Sequence, residues 1–418
     1  MRAMPRFLER NPVSRRTALT VWVGVAVTVG LSGRAAGRTA AFEQWVASFR
    51  DYALRRGVSA HTYARVMDAV EPDLSVLEAV RAQPEFTEKL WQYLNRRCSE
   101  WRVITGRERA REHASLLTRI EKDYGVDRYL LLALWGMESS FGDVIVNRKY
   151  MRPVIPALAT LAWREPRRRH YWEAELTNAL LIVERGWAEP TAMIGSWAGA
   201  MGHTQWMPEV WLHVGVDYDR DGRISPFGRP DDSLAGTARY LVERGKYRRG
   251  ESWGCEVNLP ESRVALADNR TMRDYATWQA HGIVRAGGKP FTRPQDRARL
   301  WLPERGGPAF LLGQNFRAVY SYNPSSAYSL ALCHLGDLIR GDPPLHKLFP
   351  GGERTPTMAE VMEIQRRLNA LGFKTDGVDG RTGADTVRAI IAFQKKVGME
   401  PADGYAGLKL LARLRQGG

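Results

Sequence analysis

The sequence predicts a mainly α-helical protein with a minor β component, and three observations carry that expectation. Apolar residues recur at helical spacing along most of Phe42 to about Arg340, as in Leu116, Leu117, Ile120 and Tyr124. Candidate strands there are few and short: Val264-Ala265-Leu266 and Ala309-Phe310-Leu311-Leu312. Toward the C-terminus, Ala359 to Leu371 and Ala384 to Val397 are two further helical patterns, separated by Gly- and Asp-rich turns. With 418 residues, 44% apolar and 26% charged, the chain can bury a full core, and disordered or collagen-like structure is excluded.

In chain order, the first element is an address. Arg2, Arg6, Arg10, Arg15 and Arg16 precede an apolar run from Leu19 to Leu31, and Ala35, Ala36, Ala40 and Ala41 follow. That is the plan of a secretory signal over residues 1–41. The run is short for a hydrocarbon core of about 30 Å. Ser14-Arg15-Arg16-Thr17-Ala18-Leu19 fits twin-arginine export, with an ordinary secretory signal as the alternative. Left uncleaved, the segment would tie the chain to a membrane. The expected location is the periplasm or cell envelope.

Tyr129 to Met137 is nearly continuously apolar, and Arg167 to Arg185 and Leu234 to Glu243 read as amphipathic helices. Gly341 to Thr357 holds Pro343, Pro344, Pro350 and Pro356 beside Gly341, Gly351 and Gly352, which reads as a linker over 341–356. The two patterns beyond it belong to a second unit, 357–418, leaving 42–340 as the large one. Within the small unit, Asp379-Gly380-Arg381-Thr382-Gly383 is echoed by Asp403-Gly404-Tyr405-Ala406-Gly407.

Charge and cysteines limit the function. The net charge is +15, of which residues 1–41 contribute +6, with seven Arg and one Glu. The excess suggests a polyanionic partner. An exported protein without nucleic-acid motifs excludes DNA and RNA. Cys98, Cys255 and Cys333 show no CxxC or metal-type spacing, which excludes a disulfide scaffold and leaves room for one pair in an oxidising compartment. The eight His are scattered without an HExxH pattern, so a zinc peptidase is excluded.

The chemistry centres on Glu138, where the apolar run 130–137 meets Glu138-Ser139-Ser140-Phe141-Gly142. A carboxyl at the end of such a helix is expected to be desolvated, which raises its pKa and suits a general acid. The plainer alternative is a glutamate that turns outward. Seven of the 14 Trp lie between residues 135 and 211, a density that suits sugar-stacking faces as well as ordinary core.

Trp135-Gly136-Met137-Glu138-Ser139-Ser140-Phe141-Gly142 resembles the catalytic-glutamate motif of the membrane-bound lytic transglycosylase B family. Pro156-Ala157-Leu158-Ala159-Thr160-Leu161-Ala162 and the run from Ser196-Trp197-Ala198-Gly199 to Gln205-Trp206-Met207-Pro208 are similar to further motifs of that family. The resemblance covers about Phe42 to Arg340. It implies a lysozyme-like helical catalytic domain that cleaves peptidoglycan, with Glu138 as acid and base. It places Ser196 and Gln205 near that acid and Tyr240 in the cleft. Tyr322, Asn323 and Tyr328 fall in a late substrate-binding motif. Arg167 and Arg168 match an arginine pair for lactyl or peptide carboxylates, although Arg169 leaves that register open. Ordinary glycosidases use two carboxylates. Here Glu173, Glu175 and Glu209 read as helix-surface charges, so one glutamate is expected to suffice. The sugar's 2-acetamido group would then stabilise C1, and its C6 hydroxyl would close a 1,6-anhydro ring. Hydrolysis by a muramidase, or a catalytically silent wall-binding scaffold, are the competing readings.

Asp217-Tyr218-Asp219-Arg220-Asp221-Gly222-Arg223-Ile224-Ser225 follows the first nine positions of an EF-hand loop. Asp217, Asp219, Asp221 and the Arg223 carbonyl are the candidate ligands for a structural calcium ion. No cofactor is expected to be required for catalysis. The twelfth position is Gly228, where the family usually has Asp or Asn, and Asp232 fits the N-cap of the next helix. An Asp-rich turn bridged by Arg220 or Arg223 is the alternative. Residues 357–415, from Glu363-Ile364-Gln365-Arg366-Arg367-Leu368 to Ile391-Ala392-Phe393-Gln394, resemble a three-helix peptidoglycan-binding domain. The resemblance implies a monomeric enzyme with peptidoglycan as its partner. Residues Asp379 to Thr382 are the candidate wall-binding turn. A simple tether predicts that loss of residues 345–418 weakens wall retention more than turnover of soluble glycan.

Overall fold

The computed structural model describes residues 38–81, 88–146 and 151–417. Most of the export signal expected from the sequence lies outside the described residues. Ala40 and Ala41 open the first helix, Ala40–Leu54, which Thr39 caps through its side chain. Among the described residues, no helix is long and apolar enough to cross a membrane.

The chain is mostly helical, as its periodicity predicts. Its central helix, Arg128–Ser139, is capped by Asp127, whose Oδ1 accepts from Tyr129 N at 2.7 Å and Leu130 N at 3.3 Å. Leu131, Leu132 and Leu134 are fully buried on it, each worth about 1.5–3 kcal/mol. Ser326–Arg340 and Glu100–Glu112 pack beside it. Arg102 is buried and donates to the carbonyls of Gly136, Arg96 and Arg97, tying this layer to Leu90–Arg97.

The β component is larger than the sequence suggests. Met272–Asp274, Arg297–Trp301, Ala309–Leu312, Gly254–Asn258 and Val284–Arg285 form one antiparallel sheet in that spatial order. It has its own core of Val257, Tyr275, Trp278, Ile283, Ala298, Leu300, Ala309 and Leu311. Ala309 to Leu312 is a strand as expected. Val264-Ala265-Leu266 instead belongs to the 3-10 turn Glu261–Leu266, closed by the Arg263 amide donating to the Pro260 carbonyl and the Ala267 amide to the Val264 carbonyl. All three cysteines are free, and burial pushes the Cys98 and Cys255 thiols up to about 12.

Residues 341–357 contain no helix or strand, yet they do not form a loose tether. Glu256 accepts from the amides of His346 and Lys347, and Phe349 is buried in the main core. Beyond them, Met358–Ala370, Ala384–Lys396 and Leu408–Arg415 surround Ile364, Leu368, Ile390, Phe393 and Leu410. Thr357 and Glu360 form a capping box at the first of these helices.

The repeated turns of this module share one construction. Gln365 holds the first, donating to Asp379 Oδ1 and accepting from Gly380 N at 2.9 Å. Gln394 holds the second, donating to Asp403 Oδ1 and accepting from Gly404 N at 2.9 Å. The residue after each Asp-Gly meets the catalytic region. Arg381 pairs with Asp143 at 3.0 Å and lies over Trp101. The Tyr405 hydroxyl accepts from Asn95 at 2.8 Å, and its ring meets Trp91 edge-on. The echo seen in sequence is a pair of docking turns.

Candidate active site

Each residue around Glu138 has a local task. Trp135 Nε1 donates to His203 Nδ1 at 3.0 Å. Gly136 leaves room for the Phe141 ring, which an added Cβ would meet at 2.5 Å. Ser139 Oγ donates to the His203 carbonyl at 2.6 Å and accepts from Gly142 N. Ser140, Phe141 and Gly142 all have positive φ, so the chain reverses immediately after the helix. The apolar residues before Glu138 are consumed by the core. Glu138 itself is half-buried and lines a cavity of about 410 Å³.

Tyr328 donates its hydroxyl to Glu138 Oε1 at 2.5 Å from the helix Ser326–Arg340. Burial, followed by the neighbouring carboxylate, pushes the Tyr328 hydroxyl well above its ordinary range, so it keeps its proton and remains a donor. Tyr93, from the helix Leu90–Arg97, lines the same cavity. Its hydroxyl is raised by burial first and by the carboxylates of Glu88 and Glu138 after it. Arg97 lies over the Tyr93 ring at 5.0 Å. Sequence reasoning missed both residues. Their only local signal is an aromatic and a cation four apart on one helix face.

Ser196 and Gln205 enter the cavity from a pinned loop. Ser196 N donates to Ala200 O and its Oγ accepts from Ala200 N at 3.1 Å. Met201 and Trp206 exchange backbone hydrogen bonds, and Gln205 Nε2 donates to Gly202 O at 3.0 Å. Gly202 has φ +74, and a Cβ there would lie 2.1 Å from the Pro226 carbonyl oxygen. Only glycine fits this approach.

Four predicted residues, Glu138, Ser196, Gln205 and Tyr328, therefore share one cavity. Tyr322, Asn323 and Tyr240 do not line it and are buried. Tyr322 donates its hydroxyl to the Thr204 carbonyl and meets Tyr240 edge-on at 5.2 Å, while Tyr240 donates to Ser321 O. They brace the loop that carries Gln205. Arg167 is exposed, and Arg168 lies over Tyr171 and Trp172; neither lines this cavity. Of the clustered tryptophans, Trp197 lines it, whereas Trp172, Trp206 and Trp211 are core. Glu175, expected on a helix surface, is buried and accepts from Glu209 N, while Glu209 pairs with Arg244.

The acidic loop reaches the site through His203. Its Nε2 bonds the Gly228 carbonyl at 2.8 Å, and Trp135 occupies Nδ1, so the ring is held neutral. Burial holds its pKa below the ordinary value. Within the loop, carboxylate oxygens of Asp217, Asp219 and Asp232 lie within 4.8 Å of one another. Asp232 is not the expected N-cap, a position held by Pro230. Its oxygens accept from the amides of Tyr218, Asp219 and Ser225, which draws the carboxylate into the loop. Asp221 is outside this group and accepts from Arg223 N. Three converging carboxylates fit a hard cation such as calcium.

The far wall of the cavity comes from the C-terminal module, including Asp379, Arg381, Thr382 and Tyr405.

A model described as a putative peptidoglycan binding domain matches residues 357–414. The membrane-bound lytic murein transglycosylase B of Escherichia coli K12 is 28% identical over 229 residues, covering 54% of this chain and 61% of that protein. The chain thus aligns with less than two thirds of that relative. SltB3 from Pseudomonas aeruginosa, solved with NAG-NAM-pentapeptide, is 40% identical with a TM-score of 0.70, covering 90% of this chain and all of that one. The soluble lytic transglycosylase SltB1 from the same organism is 26% identical with a TM-score of 0.61, covering 71% and 98%. The model described as the transglycosylase SLT domain matches residues 41–337, more than two thirds of the chain, and the chain belongs to that family.

Proposed function

We propose that this protein is a lytic transglycosylase. It cleaves the bond between N-acetylmuramic acid and N-acetylglucosamine in peptidoglycan, leaving 1,6-anhydromuramyl ends. The observation that carries the reading is one oriented carboxyl, Glu138 under the Tyr328 hydroxyl, in a cavity where three of the other lining acids, Asp143, Asp379 and Asp385, have partners of their own. Asp143 pairs with Arg381, Asp379 with Gln365, and Asp385 with Arg388. Glu138 protonates the bridging oxygen, and the C1–O bond breaks as the 2-acetamido oxygen closes on C1. Glu138, now a carboxylate, takes the proton of the C6 hydroxyl. The C6 oxygen displaces the acetamido oxygen from C1, and no water is consumed.

The small module holds the enzyme on the wall and also forms part of the cleft. Peptidoglycan is thus the partner of both units, and the cell envelope is the place of work, reached through the export signal. Asp217, Asp219 and Asp232 would hold a calcium ion, which would stiffen the loop whose Gly228 carbonyl supports His203.

Incubation with purified sacculi and mass spectrometry of the products test the reading. Anhydro ends support it. Ends heavier by one water would assign a hydrolytic muramidase, and no release would leave a wall-binding scaffold. Glu138→Gln retains the shape and should abolish release.

A further inference from the structure

The module's first docking turn places a cation in the catalytic cavity. Arg381 and Glu138 line the same space, and the ion partner of Arg381, Asp143, lies five residues after Glu138 beyond the reversing turn. The backbone of Arg381 is fixed by buried Gln365, which donates to its carbonyl at 3.0 Å, and by Asp379, which accepts from its amide at 2.9 Å. Its guanidinium lies 4.1 Å from the centre of the Trp101 ring, a stacking geometry available to arginine.

Other arginines around the cavity are engaged differently. Arg102 is buried and donates to three carbonyls, Arg97 lies over the Tyr93 ring, Arg96 pairs with Glu88, and Arg152 pairs with Asp73. In contrast, the Arg381–Asp143 pair is partly exposed, with side chains 37% and 44% accessible. Such a pair contributes little to stability, so a second carboxylate can share or displace Asp143 at small cost. A guanidinium fork recognises a planar carboxylate through two parallel hydrogen bonds.

We propose that Arg381, supplied by the C-terminal module, is a substrate-binding residue of the catalytic cavity that takes a carboxylate of the glycan's peptide stem. The inference rests on the transglycosylase reading and adds a role for the module: selection among stems within the cleft. It also changes the expectation for module loss, since truncation removes a wall of the active site together with the anchor.

The test uses full-length wild type, Arg381→Ala, Arg381→Lys and Asp143→Asn. Substrates are soluble glycan oligomers with free stem carboxylates and the same oligomers with those carboxylates converted to primary amides. Wild type should favour the free-carboxylate oligomer. Arg381→Ala should raise KM for it about tenfold with kcat little changed, and should process both oligomers alike. Arg381→Lys, which keeps the charge without the fork, should retain part of the preference, and Asp143→Asn should retain it all. Calorimetric binding of both oligomers in a Glu138→Gln background reads the same preference without turnover. Equal losses on both oligomers would make Arg381 a docking residue and overturn the proposal. A preference unchanged in Arg381→Ala, or lost equally in Asp143→Asn, would overturn it as well. Wild type that turns over neither oligomer would reject the transglycosylase reading itself, while the binding preference still decides the role of Arg381.

Discussion

Replacing Tyr328 by Phe removes one hydroxyl from the site and leaves its aromatic ring in place. Tyr328 is 3% exposed, and its hydroxyl donates to Glu138 Oε1. A hydrogen bond to a charged acceptor is worth about 1.5–3 kcal/mol, so losing it in the transition state should lower kcat roughly 10- to 150-fold. Phenylalanine preserves the packing against the helix, and the melting temperature should move by no more than about 3 °C. Initial rates on soluble glycan across a range of concentrations separate kcat from KM, and scanning calorimetry measures the fold. A kcat within twofold of wild type, alongside an inactive Glu138→Gln, would show that Tyr328 does not orient the acid. A large fall in melting temperature would assign the loss to the fold.

Other perturbations address the surroundings. Millimolar calcium should raise the melting temperature, a chelator should reverse the effect, and Asp219→Asn should remove it; an unchanged transition in all three would reject the loop as a cation site. Burial holds the His203 pKa below 6.5 and that of His334 down to about 4, so both resist protonation in the folded state. Their stabilising contribution is present above about pH 6.5 and is lost as pH falls below it; His334→Leu should reduce that acid sensitivity in urea titrations. Burial raises Asp337 to about 6 from 3.8, which has the opposite sign. Its contribution is fullest below about pH 4 and is lost as pH rises through 6, and Asp337→Asn should flatten stability across that window. Truncation of residues 357–418 should lower turnover of soluble glycan as well as wall retention; normal kinetics on soluble glycan would return the module to a pure anchor.

Much of the site was legible because its local motifs pack residues with separate tasks into short runs. Trp135, Gly136, Ser139 and Phe141 serve the turn and its neighbours, which leaves Glu138 as the titratable group of the run at the cavity. Asp232 was misread because its sequence position suits an N-cap, whereas the backbone donors it satisfies lie up to 14 residues earlier. Tyr93 and Arg97 were missed because nothing within their own helix points to a carboxyl 45 residues away. The sheet was understated because strands of two to five residues carry little periodicity, and their pairing spans residues far apart in the chain.

Local physics written in the sequence determined the helices, the acid at the end of its apolar helix and the paired turns of the module. Hydrophobic spacing, capping side chains and turn residues act over a few positions and need no tertiary partner to be read. Tertiary structure decided which candidates meet. It gathered Glu138, Tyr328, Ser196 and Gln205 around one cavity, set Tyr240, Tyr322 and Asn323 behind it, and left Arg167 and Arg168 outside its lining. It also brought Arg381 to Asp143 across 238 residues. Such contacts depend on how whole helices and modules pack, a non-local balance of buried area and satisfied polar groups that no short window contains.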